Sequence, residues 1–369
     1  SKGTFLLDDG GDTDIVIDQV GGYGQVGADL GAGFRAVFAF RADNHEIYDF
    51  NFLPKAALLR SGQYGTWRLT YGRGIAAPTI LNLYGDLFGG LILGNAEGFT
   101  IATAFDEEGN VTATREVEKQ KVEELQTFEL GYKGQLVPNR LFVDVNGYYN
   151  ISENFLSPLT VLGVATLRGD TPVSEVQRGF AGLQGLAASY VNFGEFNTYG
   201  FDIGVTYLLT RDLSATVNYS FFDISFDEND LENNDFNGDG VVNKLDHLVN
   251  SPRNKGSFSL NYNGPKFFAT GFARFVEEYD YFSSFQIAAE TQDLVYRGVP
   301  VVEDARSADT FNYGPLGGFV QFDAGVGYKI SPNLRVSAQV SNLFDSEIRE
   351  FTASPFIGRL ISAGVRVEL

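Results

Sequence analysis

The segment from Asp235 to Asp246 carries oxygen-bearing side chains at the spacing of a calcium-binding loop. Counted from Asp235, positions 1, 3, 5, 9 and 12 hold carboxylate or amide side chains, position 6 is Gly240, and position 7 offers a backbone carbonyl. Ca²⁺ prefers such hard oxygen ligands, whereas softer transition metals prefer nitrogen and sulfur. The spacing therefore predicts a structural Ca²⁺ site with the ligands Asp235, Asn237, Asp239, Val241, Asn243 and Asp246.

The twelfth position holds Asp246 instead of the glutamate usual in EF-hand loops, so the segment resembles a dockerin-type calcium loop. A dockerin proper would have a second copy of the loop and flanking helices, and this sequence shows neither. The ion would fold and stiffen Ser225–Asn254. The competing interpretation is a solvated loop tip that is rich in Asn and Asp and binds no metal.

Catalytic side chains do not form a familiar constellation. The chain has no cysteine and two histidines, His45 and His247, which are far apart in sequence. Thiol nucleophiles, thiolate metal sites and a zinc cluster are therefore not expected. The sequence also lacks a glycine-rich phosphate loop followed by lysine, and it lacks a nucleophile elbow. We do not expect an enzyme.

The chain is strongly acidic, with a formal net charge of −20. Phosphate binding needs clustered lysine and arginine, so a nucleic-acid partner is not expected. Acidic loops that face solvent and attract divalent cations agree with this charge.

The type of secondary structure that makes up the rest of the chain is clearest in the segment Gln126–Asn150. Apolar and polar residues alternate along both of its halves, which are joined at Val137-Pro138-Asn139. Period-two alternation indicates a β-hairpin with one face against an apolar medium and the other near water. Each half has about ten residues, the length of a strand that crosses a bilayer. A soluble β-sandwich, whose strands are usually shorter, is the alternative.

The same pattern recurs along the chain and predicts an all-β fold, a transmembrane antiparallel β-barrel with about fourteen strands. The predicted strands are Lys2–Leu7, Val20–Leu30, Phe34–Ala42, Asn51–Arg60, Thr66–Arg73, the two halves of Gln126–Asn150, Tyr199–Leu209, Leu213–Ile224, Lys255–Asn263, Phe267–Phe282, Val320–Lys329, Leu334–Phe344 and Arg359–Leu369.

Short and long connections alternate between these strands. Gly31-Ala32-Gly33 and Ser331-Pro332-Asn333 are short, whereas Gly74–Glu124 and Ser152–Thr198 are long. Outer-membrane barrels place short turns at the periplasmic rim and long loops outside the cell. The alternation therefore favours a barrel in the bacterial outer membrane and makes Ser225–Asn254 an extracellular loop.

With its strands placed, the chain resembles the C-terminal part of a TonB-dependent outer-membrane receptor. The matching segments, in the order of that family, are Trp67–Pro78, Thr127–Gly134, Asn197–Asp202, Asn250–Lys255 and Val340–Asp345. The resemblance implies a substrate-specific active transporter, closed by a plug domain and energised by a TonB-type coupling protein. It also implies contact with outer-membrane lipid and lipopolysaccharide, and a surface lipoprotein as a further partner.

The chain departs from that family in two respects. Plugged transporters have about 22 strands, more than are found here, and nothing near Ser1 resembles a plug or a signal peptide. We therefore expect residues 1–369 to form the C-terminal part of a barrel, from which the loop 225–254 projects. The plug and the first strands would lie elsewhere.

Two sets of residues are candidates for binding substrate. The first consists of charged residues at inward strand positions, which would also line any water-filled barrel; this ordinary lining is the favoured interpretation. It comprises Arg68, Glu129, Lys133, Asp144, Asp202, Asp323 and Arg335. The second set would belong to an aromatic belt at the membrane surface, which is the favoured interpretation, or would bind a sugar or a chelate. It comprises Tyr279, Asp280, Tyr281 and Phe282.

Three functions fit these expectations. The first is active import of a specific ligand through a plugged barrel. The second is a passive porin or surface structural barrel that is complete with fourteen strands. The third is a soluble, calcium-dependent β-adhesion module. Strand alternation does not encode the identity of a transported ligand.

Overall fold

The structure is a computed structural model of the chain. It describes residues 16–157, 159–176, 185–235, 240–242, 246, 250–279, 295–296, 299–300, 316–348, 350 and 357–368. Within these ranges, no helix combines the length and the apolar character needed to cross a membrane.

The described residues form mainly β-strands, with three short helices. The elements are β1 (Gln19–Gly31), β2 (Phe34–His45), β3 (Asp49–Gly62), β4 (Gly65–Ala76), α1 (Ile80–Tyr84), β5 (Asp86–Leu87), β6 (Ile92–Leu93), β7 (Phe99–Phe105), β8 (Val111–Val117), β9 (Glu123–Val137), β10 (Leu141–Leu156), β11 (Thr160–Arg168), β12 (Thr171–Pro172), α2 (Val173–Val176), β13 (Leu186–Ser189), β14 (Asn192–Leu208), β15 (Leu213–Phe226), α3 (Leu231–Asn234), β16 (Asn254–Asn263), β17 (Phe267–Val276), β18 (Val295–Tyr296), β19 (Val299–Pro300), β20 (Phe319–Ser331), β21 (Leu334–Ser341) and β22 (Leu360–Val367).

The long strands form one 13-stranded antiparallel sheet, which we call the main sheet. Its order is β1-β2-β3-β4-β9-β10-β14-β15-β16-β17-β20-β21-β22, so neighbours in the sheet are also successive long strands of the chain. This is the meander of an up-and-down barrel. The thirteen strands predicted from Val20 onward are all found in it, and the predicted strand Lys2–Leu7 lies outside the described residues. The strand predicted to reach Phe282 ends at Val276.

The two faces of the main sheet differ as the alternation predicts. Cross-strand neighbours such as Trp67 and Tyr132, or Leu69 and Leu130, share one face. Their side chains stay exposed despite being apolar; Leu69 and Leu130 are each 53% exposed. Arg68 and Thr70 point to the other face, where polar residues gather. The apolar face is therefore the lipid-facing side, and the polar face lines the interior of the barrel.

The short connections lie together at one rim of the sheet, as the sequence predicts. The turn between β1 and β2 places Gly31, Ala32 and Gly33 at positive φ, at 83°, 50° and 81°. Positive φ is easy for glycine, and here it allows two long strands to be joined by a tight reversal.

A second sheet, which we call the cap sheet, was not predicted. It is built from the long connections β4–β9 and β10–β14, and its strands have the order β5-β6-β13-β11-β7-β8, with β12 paired to β11. These strands enclose a hydrophobic core of Leu93, Phe99, Ile101, Leu162, Ala165, Val173 and Ala187.

The buried apolar residues of the described chain lie mostly in or near the cap sheet. Within the strands of the main sheet only Phe196 and Ile224 are buried and hydrophobic, and both lie near the long-loop ends of their strands. A soluble sandwich would instead bury one face of every long strand. The distribution is that of a barrel whose apolar face meets lipid.

Candidate functional site

Five of the seven charged residues predicted to face the interior lie on neighbouring strands of the main sheet. They belong to β4, β9, β10 and β14, which pair in that order. The guanidinium of Arg68 lies 3.6 Å from the Glu129 carboxylate. Glu129 also accepts a hydrogen bond of 2.9 Å from Thr70 Oγ1. Arg68 in turn donates to Asn146 Oδ1 at 3.3 Å.

The other three members of this group are also paired. Lys133 Nζ donates to Asp144 Oδ2 at 2.8 Å, and Asp202 accepts a hydrogen bond from Ser220 Oγ. The alternation of the strands brings each charge opposite a complementary group on the next strand. The polar band therefore offers a wet, nearly neutral wall, which agrees with the favoured interpretation of these residues as barrel lining.

Asp323 and Arg335 lie elsewhere on the polar face. Asp323 Oδ1 accepts from Gln321 Nε2 at 2.9 Å, from Ser341 Oγ at 3.0 Å and from the Asn342 backbone N–H at 2.8 Å. Arg335 forms an ion pair with Glu368 at 3.3 Å. The structure thus separates these two residues from the five on β4 to β14.

Sequence reasoning did not identify Arg274, which joins a strand of the main sheet to the β21–β22 loop. Its guanidinium donates to Gln321 Oε1 at 2.9 Å and to both carboxylate oxygens of Glu350, at 3.3 and 2.6 Å. It also lies over the ring of Phe319, 5.2 Å from the centroid. The signal available was an arginine at an inward strand position, but its partner in a distant loop could not be read from alternation.

Asn95 links segments of the two long connections through hydrogen bonds. Its side chain is fully buried; Nδ2 donates to the carbonyls of Glu118 at 2.9 Å and Tyr190 at 3.1 Å, and Oδ1 accepts from Gly98 N at 3.0 Å. Glu118 precedes β9 and Tyr190 precedes β14. One asparagine therefore ties both long connections together above the barrel.

A charged cluster lies where β11 of the cap sheet meets the first long connection. Burial lowers the pKa of Arg168, and the charges of Glu97, Asp86 and Tyr84 act in the opposite direction. Arg168 donates to the carbonyl of Leu83 at 3.3 Å. An arginine that is mostly buried among acidic groups holds β11 against the first long connection.

The β2–β3 turn reaches the same region through Tyr48. Its hydroxyl donates to the Pro78 carbonyl at 3.3 Å, and its ring stacks on His45 at 4.7 Å. Burial, followed by the charge of Tyr84, raises the pKa of Tyr48 to about 12. The β2–β3 turn leaves the main sheet at the same rim as the two long connections. It is thus joined to the cap sheet.

The predicted calcium loop is described only in part. Asp235, Val241 and Asp246 lie in described residues, and Asn237, Asp239 and Asn243 lie outside them. Asp235 Oδ2 accepts from Gly240 N at 2.8 Å, and Gly240 has φ +83°. The Asp246 side chain is completely buried. A glycine turn and a buried carboxylate fit a calcium loop, although the described residues alone contain no group of three or more acidic, His or Cys side chains that would hold a metal.

The start of this loop is fixed to the barrel. Asn234, which is 1% exposed, accepts a hydrogen bond of 3.0 Å from the Glu195 backbone N–H on β14. Of the second candidate set, Tyr279 forms an antiparallel bridge with Leu316. Asp280, Tyr281 and Phe282 lie outside the described residues.

Solved structures with similar architecture include siderophore receptors and metal transporters. The siderophore receptor PirA from Acinetobacter baumannii is 14% identical, with a TM-score of 0.61 over 95% of this chain and 46% of that chain. The FrpB iron transporter from Neisseria meningitidis is 15% identical, with a TM-score of 0.58 over 95% and 45%. PirA from Pseudomonas aeruginosa is 15% identical, with a TM-score of 0.54 over 95% and 48%. The chain therefore spans about half the length of these relatives.

A comparison with curated proteins gave no match. The family model that describes the β-barrel of TonB-dependent receptor-like proteins matches residues 4–343. With the main sheet, the lipid-facing apolar side and the polar interior in place, the chain belongs to the TonB-dependent receptor β-barrel family of the bacterial outer membrane.

Proposed function

We propose that the chain acts in an active transport receptor that imports a specific ligand through a plugged barrel energised by the TonB system. The observation that carries this proposal is the cap sheet, in which two long connections form a folded roof with its own core over one end of a polar barrel wall. A passive pore gains nothing from a roof of this kind, whereas a receptor uses ordered loops to hold a ligand before transport.

The relatives are named as siderophore receptors and as an iron transporter, so ferric chelates are the first ligand class to test. The full receptor would be compared in its native host with a receptor deletion, the complemented deletion and a strain without TonB. We expect uptake of radiolabelled iron from at least one siderophore of a chemically varied panel to require both the receptor and TonB. Receptor-dependent uptake that persists unchanged without TonB would favour the passive porin instead.

We also propose that Ca²⁺ binds the Asp235–Asp246 loop and stiffens it. The support is the ligand spacing together with the positive φ of Gly240 and the buried Asp246 carboxylate. Asp235, Asn237, Asp239, Asn243 and Asp246 would supply side-chain oxygens, and Val241 its carbonyl. The ion would neutralise carboxylates that otherwise repel one another in a segment, 227–253, with seven acidic and two basic residues.

The family resemblance also implies contacts with lipopolysaccharide and a surface lipoprotein partner. Both of these stay predictions. The cap sheet offers a folded surface on which such a lipoprotein would sit.

A further inference from the structure

Four basic side chains lie at the same level on adjoining strands of the main sheet. Lys329 on β20 lies opposite Arg335 on β21, and Arg335 lies opposite Arg366 on β22. The Lys329 N–H donates to the Lys266 carbonyl at 2.7 Å, so Lys266, the residue before β17, is the next in line. We call these four residues the cation row. Since neighbouring strands lie about 4.8 Å apart, the row spans about 14 Å.

The cation row faces the interior of the barrel at the rim of the short connections. Lys329 lies between Tyr328 and Ile330, and Arg366 follows Val365. These three flanking side chains are apolar and exposed, like the rest of the lipid-facing side. Alternation therefore places the row on the polar face. The row adjoins the short β16–β17 and β20–β21 connections, and short turns of outer-membrane barrels lie at the periplasmic rim.

One acidic residue compensates part of this row. Glu368 forms ion pairs with Arg335 at 3.3 Å and with Arg366 at 3.2 Å. Like charges directly opposite one another destabilise a sheet. Acidic residues outnumber basic ones by 47 to 27 in this chain, so four aligned bases with one acid run against its composition.

The two lysines of the row keep their charge uncompensated. Lys329 Nζ donates to two neutral oxygens, Asn263 Oδ1 at 3.1 Å and the Gly264 carbonyl at 3.0 Å. An ammonium has three N–H groups, so one is left for a ligand. Within the described part of the chain, Lys266 forms no ion pair. This half of the row differs from the wall formed by β4 to β14, where each charge has a complementary neighbour.

A cavity of about 770 Å³ opens beside these lysines. Lys266, Lys329 and Arg335 line it together with Asn261 and Asn263, and no acidic side chain of the described residues does so. Because Asn263 Oδ1 already accepts from Lys329, its Nδ2 is left as a further donor. The volume is that of a pocket for a small molecule.

We propose that this cavity binds a small anion that carries two or more phosphate or carboxylate groups. Ammonium, guanidinium and amide N–H groups are the donors that such oxygens accept from most strongly. Groups about 5 Å apart would meet neighbouring members of the cation row, whereas a single negative charge would leave the other bases uncompensated. Binding here does not require import, so it can be measured at equilibrium and separately from transport.

The test is calorimetric titration of the full receptor in dodecyl maltoside, in buffer without divalent cations. The probes are inorganic tripolyphosphate and citrate, which separate phosphate from carboxylate ligands. We expect saturable binding of at least one probe, and we expect the double variant Lys266→Gln with Lys329→Gln to weaken it at least about tenfold. Lys329→Arg should keep most of the affinity. If the double variant does not fold, Lys266→Gln alone, which changes an exposed turn side chain, should show a smaller loss.

Lys55 and Lys255 supply the matched control. Both also lie on the polar face, opposite Gly72 and Ser220, and both are away from the cation row. Lys55→Gln with Lys255→Gln removes the same charge and should leave binding unchanged. Equal losses in the two double variants would overturn the proposal, because any positive surface would then suffice. Failure of the full receptor to bind either probe would also overturn it, since another part of the receptor would then neutralise the row.

Discussion

Glycines in the main sheet make room for large side chains of the next strand. Gly327 faces Phe268 in the register of β17 and β20, and a Cβ built on Gly327 would lie 2.0 Å from the Phe268 ring. Gly200 stands in the same relation to Tyr148, whose hydroxyl would be 2.6 Å away. Some of the glycines in the sequence are therefore partners of aromatic rings.

Replacing Gly327 by alanine is expected to destabilise the barrel by about 1–3 kcal/mol, because the Phe268 ring must move or strain. The measurement is the temperature or urea concentration at which the folded, heat-modifiable form of the receptor is lost. Gly271→Ala is the control, since its methyl group enters open space. Equal midpoints for the two variants would show that Phe268 yields without cost.

Tyr48 links protonation to the contact between the β2–β3 turn and the cap. Burial, followed by the charge of Tyr84, raises its pKa to about 12 in the folded protein, above the usual value of 10. A raised pKa contributes stability that is complete below pH 10 and is lost as the pH rises through 12. The reason is that burial disfavours the charged phenolate, and the phenolate also cannot donate to the Pro78 carbonyl.

The difference in phenolate absorbance between the wild type and Tyr48→Phe isolates this group from the other tyrosines. We expect the difference curve to have its midpoint near pH 12, and the junction around Pro78 to become protease-sensitive between pH 10 and 12. A midpoint near 10 would contradict the buried environment of the side chain.

At the scale of elements, the long strands could be predicted and the cap sheet could not. Strands such as β4 and β9 alternate between apolar and polar residues over most of their length, so their sequence carries the period directly. Strands β5 and β6 have two residues each, and β13 pairs with β6 through Ala188 and Ile92, which are 96 residues apart in sequence. Such short and distant pairings leave no periodic signal.

The same limit explains which site contacts were found. The inward positions of Arg68, Glu129, Lys133 and Asp144 follow from alternation, and their pairing follows from register. The hydrogen bond from Arg274 to Glu350 depends on the path of the β21–β22 loop. The alternation of residues along a strand carries no information about that path.

The core of the cap sheet makes it separable from the barrel. Phe99 on β7 is 1% exposed and belongs to this core, whereas Phe105 on the same strand is 50% exposed. We expect Phe99→Ala to destabilise the cap by about 3–5 kcal/mol, and Phe105→Ala to have little effect. Limited proteolysis of the receptor in detergent should then cut within 86–117 in the first variant only.

The barrel itself should survive this change, because the cap sheet and the main sheet share no strand. Heat-modifiable migration of the Phe99→Ala receptor should therefore match the wild type. Loss of the folded barrel form along with the cap would show that the two sheets fold as one unit.

Calcium is expected to act at the scale of the Ser225–Asn254 loop. Chelation should raise protease sensitivity within this loop, while the strands of the main sheet stay protected, because the ion would hold together carboxylates that repel one another. Asp246→Asn should make the loop sensitive even with Ca²⁺ present. Digestion that is identical with and without chelator would contradict the site.

At the scale of the whole molecule, the two barrel functions differ in whether the pore is open. The polar wall formed by β4 to β15 is matched in charge and would conduct ions if nothing filled the barrel, as in a porin. A receptor barrel of this family is wide enough to need a plug. We therefore predict that the full receptor, inserted into a planar bilayer, shows no stable conductance steps, whereas a general porin inserted in the same way does. Stable conductance steps from the intact, folded receptor would favour a passive pore as its function. The cap sheet would then have to leave a path for ions.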